Sequence, residues 1–170
     1  MRTKHVFVEE YNPFWSDEFK KIKTELMSVL LGKVISIEHV GSTAVKGLAA
    51  KPIIDIDVVI DGNFDKVREA LKTLGYYHEG DLGIKGREAF AYVNKEHLML
   101  HHLYVCNFDN GELHRHLSFR NHLRQNEEDR IRYSNIKKIM AKKYPYDIDS
   151  YIKGKQSVIE EIYEKCGLEK

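Results

Sequence analysis

Cysteine is scarce in this 170-residue chain, which has only Cys106 and Cys166, far apart and in no Cys-x-x-Cys pair. That excludes a disulfide-built scaffold and points to a reducing compartment. No apolar run approaches the ~20 residues of a membrane-spanning helix. Met1 to Glu10 holds no apolar core of a secretory signal. Excess charge is missing too: 27 lysines and arginines against 26 acids give a formal net charge of +1. A protein held to duplex DNA mainly by phosphate neutralisation needs more than that. A nucleic-acid partner is therefore not favoured, although a local basic patch stays open. There is no internal repeat and no low-complexity stretch. What remains, 42% hydrophobic and 31% charged, can bury a core in one compact unit. The expectation is a cytoplasmic protein with no membrane partner.

Hydrophobic periodicity lays out the elements. Phe19, Ile22, Leu26, Val29 and Leu30 recur at spacings of three and four, the mark of one helix face, with Asn12-Pro13 or Ser16 at its start and Gly32 at its end. A β-branched stretch, Lys33 to Val40, predicts a strand. Gly41 to Pro52, rich in small residues, predicts a loop or short helix. Ile53 to Ile60 (IIDIDVVI) is the clearest strand: Ile54, Ile56, Val58 and Ile60 face one side, and Ile53, Asp55, Asp57 and Val59 the other. Asp61-Gly62-Asn63 turns the chain into a helix carrying Phe64, Val67, Leu71 and Leu74. A loop is expected from Glu79 to Gly86. Arg87–Asn94 and His97–Cys106 follow as a hairpin turned near Asn94-Lys95-Glu96.

From Glu112 onward strand signals vanish, and helices are expected at about 112–125, 127–143 and 147–166. Asn126 is placed to cap the second, and Pro145 separates it from the third. Lysine and arginine outnumber acids in this half. The plan is α+β, a mixed sheet flanked by helices (1–110) with a C-terminal helical section (111–170) packed on it as one unit.

The chemistry centres on Asp55 and Asp57. Two apart on a strand, they share one face with Cα atoms roughly 6–7 Å apart. Adjacent acids on a largely buried strand need a proton or a cation. Mg²⁺, which takes oxygen ligands and keeps sites open for phosphates, suits them as metal ligands. A strand whose polar face looks at water is the competing reading. The preceding Gly41-Ser42 shifts the balance, because a glycine and a hydroxyl let backbone amides approach phosphate oxygens.

An apolar residue, Gly-Ser, then an acid-apolar-acid strand resembles the signature of the nucleotidyltransferase superfamily. The longer block from Ile37-Glu38-His39-Val40-Gly41-Ser42-Thr43-Ala44 through Lys51-Pro52-Ile53-Ile54-Asp55 resembles the central motif of the GrpB family. Tyr11-Asn12-Pro13-x-Trp15 is similar to that family's N-terminal signature. His116-Leu117-x-Phe119-Arg120-x-x-Leu123-Arg124, Tyr133-x-x-x-Lys137 and Tyr151-x-x-x-Lys155 are similar to its helical half. The resemblance spans nearly the whole chain and implies a nucleotidyltransferase-like fold. It further implies a Mg²⁺-dependent nucleotide-binding protein that transfers a nucleotidyl group from a nucleoside triphosphate to an unknown acceptor. In that picture Gly41, Ser42 and Thr43 hold phosphates and Asp55 and Asp57 hold the metal.

Active superfamily members carry a third acid on a later strand. Leu98–Cys106 has none, so His102 stands there as candidate base or ligand. The alternative is a non-catalytic domain that binds a ligand or protein partner. It draws on the fusion of GrpB-like domains to a coenzyme A biosynthetic kinase, where a folding-helper role is suggested.

Other residues carry two readings each. Arg87 either reaches a triphosphate or opens a solvated hairpin. Lys51 either contacts phosphate or pairs with an aspartate. Arg120 and Arg124, one helical turn apart, either fork an anion or line a solvated face, and Lys137 and Lys155 share that ambiguity. His114-x-His116 on a helix sends its rings about 200° apart, which suits no shared zinc. Cys106, ending an apolar strand, reads as a core thiol. Ser42 lies in no Gly-x-Ser-x-Gly elbow, and Gly47-Leu48 fails the Walker pattern.

Overall fold

The computed structural model describes residues 4–168, so Met1 to Thr3 of the N-terminal stretch read above, and the last two residues, lie outside it. The elements run α1 (Trp15–Leu30), β1 (Ser36–Val40), a 3₁₀ turn (Ser42–Ala44), β2 (Ile54–Ile60), α2 (Phe64–Thr73), β3 (Tyr76–Gly80), β4 (Arg87–Tyr92), β5 (His101–Asn107), α3 (Gly111–Gln125), α4 (Glu127–Lys143) and α5 (Ile148–Lys165). Five strands form one mixed sheet in the order β1-β2-β5-β4-β3. β2 and β5 pair in parallel, and the other neighbours are antiparallel. The fold class is α+β, as the order of patterns predicts. No helix among the described residues is long and apolar enough to cross a membrane.

The alternation along β2 decides which helices cover which face. Ile54, Ile56, Val58 and Ile60 pack with Leu103 and Val105 of β5 against α1 and α2, in a cluster that includes Trp15, Ile22, Leu26 and Leu71. Each such side chain, at most 2% exposed, contributes about 1.5–3 kcal/mol of burial. On the opposite face, Val59 and Cys106 meet Leu113 and Leu117 of α3. A third cluster, with Val45, Leu48, Leu123, Tyr133 and Ile162, fastens the loop after the 3₁₀ turn to α3, α4 and α5. The aspartate face of the sheet is therefore roofed by helices.

Caps set the helix starts. Asn110 accepts from the amides of Glu112 and Leu113, Asn126 from Asp129 as expected, and Asp147 from Ser150. α1 begins after an Asn12 turn, in which the side-chain oxygen accepts from the Phe14 amide at 3.0 Å. Buried Asp129 ties the three C-terminal helices, accepting from His122 at 2.6 Å and from Lys165 at 2.7 and 2.9 Å.

Three expectations needed adjustment. β1 begins at Ser36 rather than Lys33. β3 is a strand that periodicity missed, because only Tyr76 of Tyr76–Gly80 is buried and an exposed edge strand shows no alternation. β4 and β5 do pair antiparallel, but β5 starts at His101. The link between them is longer than a hairpin turn because Leu98 and Met99 pack against the main core.

Candidate active site

The polar face of the sheet is organised at the end of β1. Val40 sits opposite Asp55, and the chain then turns at Gly41 with φ 70° and ψ −171°, a region essentially open only to glycine. A Cβ there would overlap Asp55 Oδ2. The turn is thus built directly against a carboxylate. Gly41→Ala is expected to cost about 1–3 kcal/mol from backbone strain, plus the displacement of Asp55. Urea unfolding reads this, and a loss below about 0.5 kcal/mol would show that the turn tolerates a side chain.

Side chains lock the turn from outside. The Thr43 hydroxyl donates to Ile53 O at 3.3 Å and lies 2.9 Å from His39 Nε2. With its single hydrogen so committed, Thr43 accepts from His39, whose Nε2 carries the proton. Burial pushes His39 down to about 4, so its ring is neutral. Arg124 donates to Ala44 O through Nε at 3.0 Å and Nη2 at 2.8 Å. Arg120 donates to Glu38 at 2.9 Å and to His39 O at 3.0 Å. The two arginines hold the end of β1 and the turn after it rather than presenting a fork to an anion.

The paired aspartates part company. Asp55 lies beside His102 in the β2–β5 register, and His102 Nδ1 donates to its Oδ1 at 3.0 Å. The side chains of both are about one-third exposed. Asp57, two residues on, has no exposure at all. Its Oδ2 accepts from His116 Nδ1 of α3 at 2.6 Å, while Nε2 of the same ring lies 3.3 Å from Glu112. Burial by itself would lower the His116 pKa. The hydrogen bonds and charges of Asp57 and Glu112 outweigh it and raise the group to about 9, so an imidazolium supplies the positive charge beside Asp57. That arrangement does not fit a resident cation shared by both aspartates. Among the described residues no group of three or more His, Cys, Asp and Glu is placed to hold a metal ion. Asp55 alone stays open, as a single carboxylate that fits Mg²⁺ arriving already bound to phosphates.

Beside Asp55 opens a cavity of about 240 Å³. Gly41, Ser42, Asp55 and His102 border it from the sheet side, and Lys51, Lys137 and Lys155 from the loop and helices. Lys137 is 2% exposed, and its Nζ has no hydrogen-bond partner. It sits 4.5 Å from the centre of the Tyr133 ring. Lys155 lies over Tyr151 at 4.8 Å and Tyr133 at 5.9 Å. Burial first, then the charges of Lys155 and Lys51, hold Lys137 well below the ordinary lysine range, and Lys51 is lowered in the same way. Lys155 lowers both Lys137 and Lys51, a repulsion that a bound anion would relieve.

The sequence model described as GrpB protein matches residues 5–165. The chain belongs to the GrpB family. It is 36% identical over 162 residues to the glutamate-rich protein GrpB of Alkalihalophilus pseudofirmus, covering 92% of this chain and 93% of that one. It is 35% identical to the UPF0157 protein YqkA of Bacillus subtilis, where the match covers 88% of this chain and 43% of the relative. Among solved structures, that of the conserved protein GrpB from Enterococcus faecalis aligns with a TM-score of 0.83 at 34% identity, covering 94% of this chain and 96% of that one. A shorter match, 34% identical over 70 residues, reaches 38% of this chain and 17% of a dephospho-CoA kinase of Mycobacterium bovis.

In this GrpB chain the tertiary structure brings Gly41, Ser42, Thr43, Lys51, Asp55, His102 and Lys137 to one cavity. It leaves Asp57, Arg87 and Arg120 off its wall. Arg87 stacks on Tyr104, 4.2 Å from the ring centre, with a buried Nε that has no partner. Residue patterns offered His116 only as part of a helical motif and as an unsuitable zinc ligand and did not offer Glu112; their role beside Asp57 depends on α3 lying across the sheet. Cys106 is a core thiol as read, 1% exposed and pushed up to about 12 by burial.

Proposed function

We propose that this GrpB-family chain, on a nucleotidyltransferase-like scaffold, binds a nucleoside triphosphate with its phosphates in the lysine-bordered cavity. One observation carries the reading: Lys137 Nζ is buried and unpartnered, and Lys51, Lys155 and the Gly41–Ser42 turn border the same space. An orphaned buried amine is costly. It is relieved if phosphate oxygens are the missing partner. Mg²⁺ would come with the triphosphate, and Asp55 is the carboxylate that would share it.

Calorimetric titration of the four nucleoside triphosphates, each with and without Mg²⁺, tests this on wild type and Asp55→Asn. Saturable binding by wild type is expected, with the Mg²⁺ enhancement lost in Asp55→Asn. Absence of binding at millimolar nucleotide would overturn the proposal.

Nucleotidyl transfer is a finer reading, favoured by the Asp55–His102 pair at the cavity. Asp55 fixes the His102 proton on Nδ1 and leaves Nε2 to take a proton from an acceptor hydroxyl. Release of pyrophosphate in the presence of candidate acceptors, lost in His102→Gln, is its signature. A non-catalytic role beside a partner protein draws on the match to dephospho-CoA kinases. It predicts that Asp55→Asn changes stability only.

A further inference from the structure

We infer that the cavity recognises the polyphosphate of its ligand and does not read the base, so that inorganic tripolyphosphate is itself a ligand. The inference rests on the proposed phosphate site and narrows it to a ligand class. Size is the first ground. At about 240 Å³ the cavity lies below the ~300 Å³ at which pockets for whole drug-sized ligands begin. A phosphate chain suits that space, and a nucleoside would stay outside it.

The second ground is the occupation of the aromatic faces. Base recognition commonly stacks a ring on an aromatic side chain. Tyr133 already has Lys137 over its face at 4.5 Å and Phe119 edge-on at 5.4 Å, with ring planes 88° apart. Tyr151 carries Lys155 at 4.8 Å and Lys51 at 5.9 Å. Neither tyrosine offers a free platform; of the other two rings that line the cavity, Phe119 is packed edge-on between Tyr133 and Tyr163, and His102 is tied to Asp55.

The third ground is the character of the polar groups. No asparagine or glutamine borders the cavity to read the edge of a base. The polar side chains that border it are three amines, the hydroxyls of Ser42, Thr43, Tyr133 and Tyr151, and an aspartate engaged by His102. Lysine amines recognise charge and oxygen count rather than ring identity.

The test is a calorimetric series at fixed salt on the wild-type protein, using sodium tripolyphosphate, ATP, GTP, CTP, UTP and adenosine, repeated on Lys155→Met. The expected result is binding of tripolyphosphate and all four nucleotides within about threefold of one another and none of adenosine. Lys155→Met should weaken every binder by about tenfold or more. If ATP binds and tripolyphosphate does not, or if the nucleotides differ by more than about tenfold, the base is read; the inference falls while the nucleotide proposal stands. If tripolyphosphate binds and no nucleotide does, the nucleotide proposal falls and the inference stands. Binding that Lys155→Met leaves unchanged would place the anion on the outer surface and overturn the inference. No binding of any phosphate compound overturns both.

Discussion

His116→Ala is expected to destabilise the fold by about 3–5 kcal/mol, the cost of stripping the partner from a fully buried charge. Asp57 has no exposure, and His116 is the donor to its Oδ2 at 2.6 Å. Its Oδ1 already lacks a partner, so no second group stands ready to compensate. Adding Asp57→Asn to His116→Ala should recover most of the loss, because it removes the charge that was left alone.

The pH dependence follows from the same pair. The folded pKa of His116 is raised to about 9 over about 6.5 for an unperturbed histidine. Its contribution is therefore complete below about pH 6.5 and is lost as pH rises through 9. The shift corresponds to roughly 3 kcal/mol. Urea unfolding at pH 7 and pH 10 on wild type and His116→Gln isolates it, since other titrating groups cancel in the difference. A cost under about 1 kcal/mol for His116→Ala, or a difference that does not shrink at pH 10, would refute the charge-pair account.

Lys137→Met is the second large effect, and it moves function and stability in opposite directions. Methionine keeps the length and apolar stem while removing an amine that no group satisfies. The unliganded fold should gain about 1–3 kcal/mol, the penalty attached to an unpaired buried polar group. Phosphate-ligand affinity should fall by about tenfold or more. Because Lys137 is held well below the ordinary lysine range by burial, Lys155 and Lys51, an arriving anion draws a proton onto it. Calorimetry in buffers of different ionisation enthalpy, repeated over a range of pH, should show greater proton uptake by wild type than by Lys137→Met. A variant that is both less stable and fully competent to bind would refute the role.

Much of this architecture is written in local patterns. The alternation along β2 predicts which side chains meet α1 and α2, because a strand's period of two follows from backbone geometry alone. Asn126 announces the start of α4 through its own capping bond. The Gly41-Ser42 turn is legible because a φ of 70° against Asp55 admits almost nothing but glycine. The exposed edge strand β3 carries no such mark. Arg120 and Arg124 show the limit of pattern reading at the site: their spacing suggests an anion fork, yet Arg120 ends on β1 and Arg124 on the turn that follows it.

Residue order alone implies that Asp55 and Asp57 share a face of a buried strand, that a glycine-serine turn precedes them, and that a basic helical half follows. The different fates of the two aspartates come from how the helices pack on the sheet. α3 lays His116 over Asp57 and seals it, while Asp55 is left beside a cavity. The same packing makes Lys51, Lys137 and Lys155 converge, although they stand on separate elements with no shared periodicity. Local propensity acts over a few residues, whereas burial and charge pairing act between whatever the packing of helices on the sheet makes adjacent.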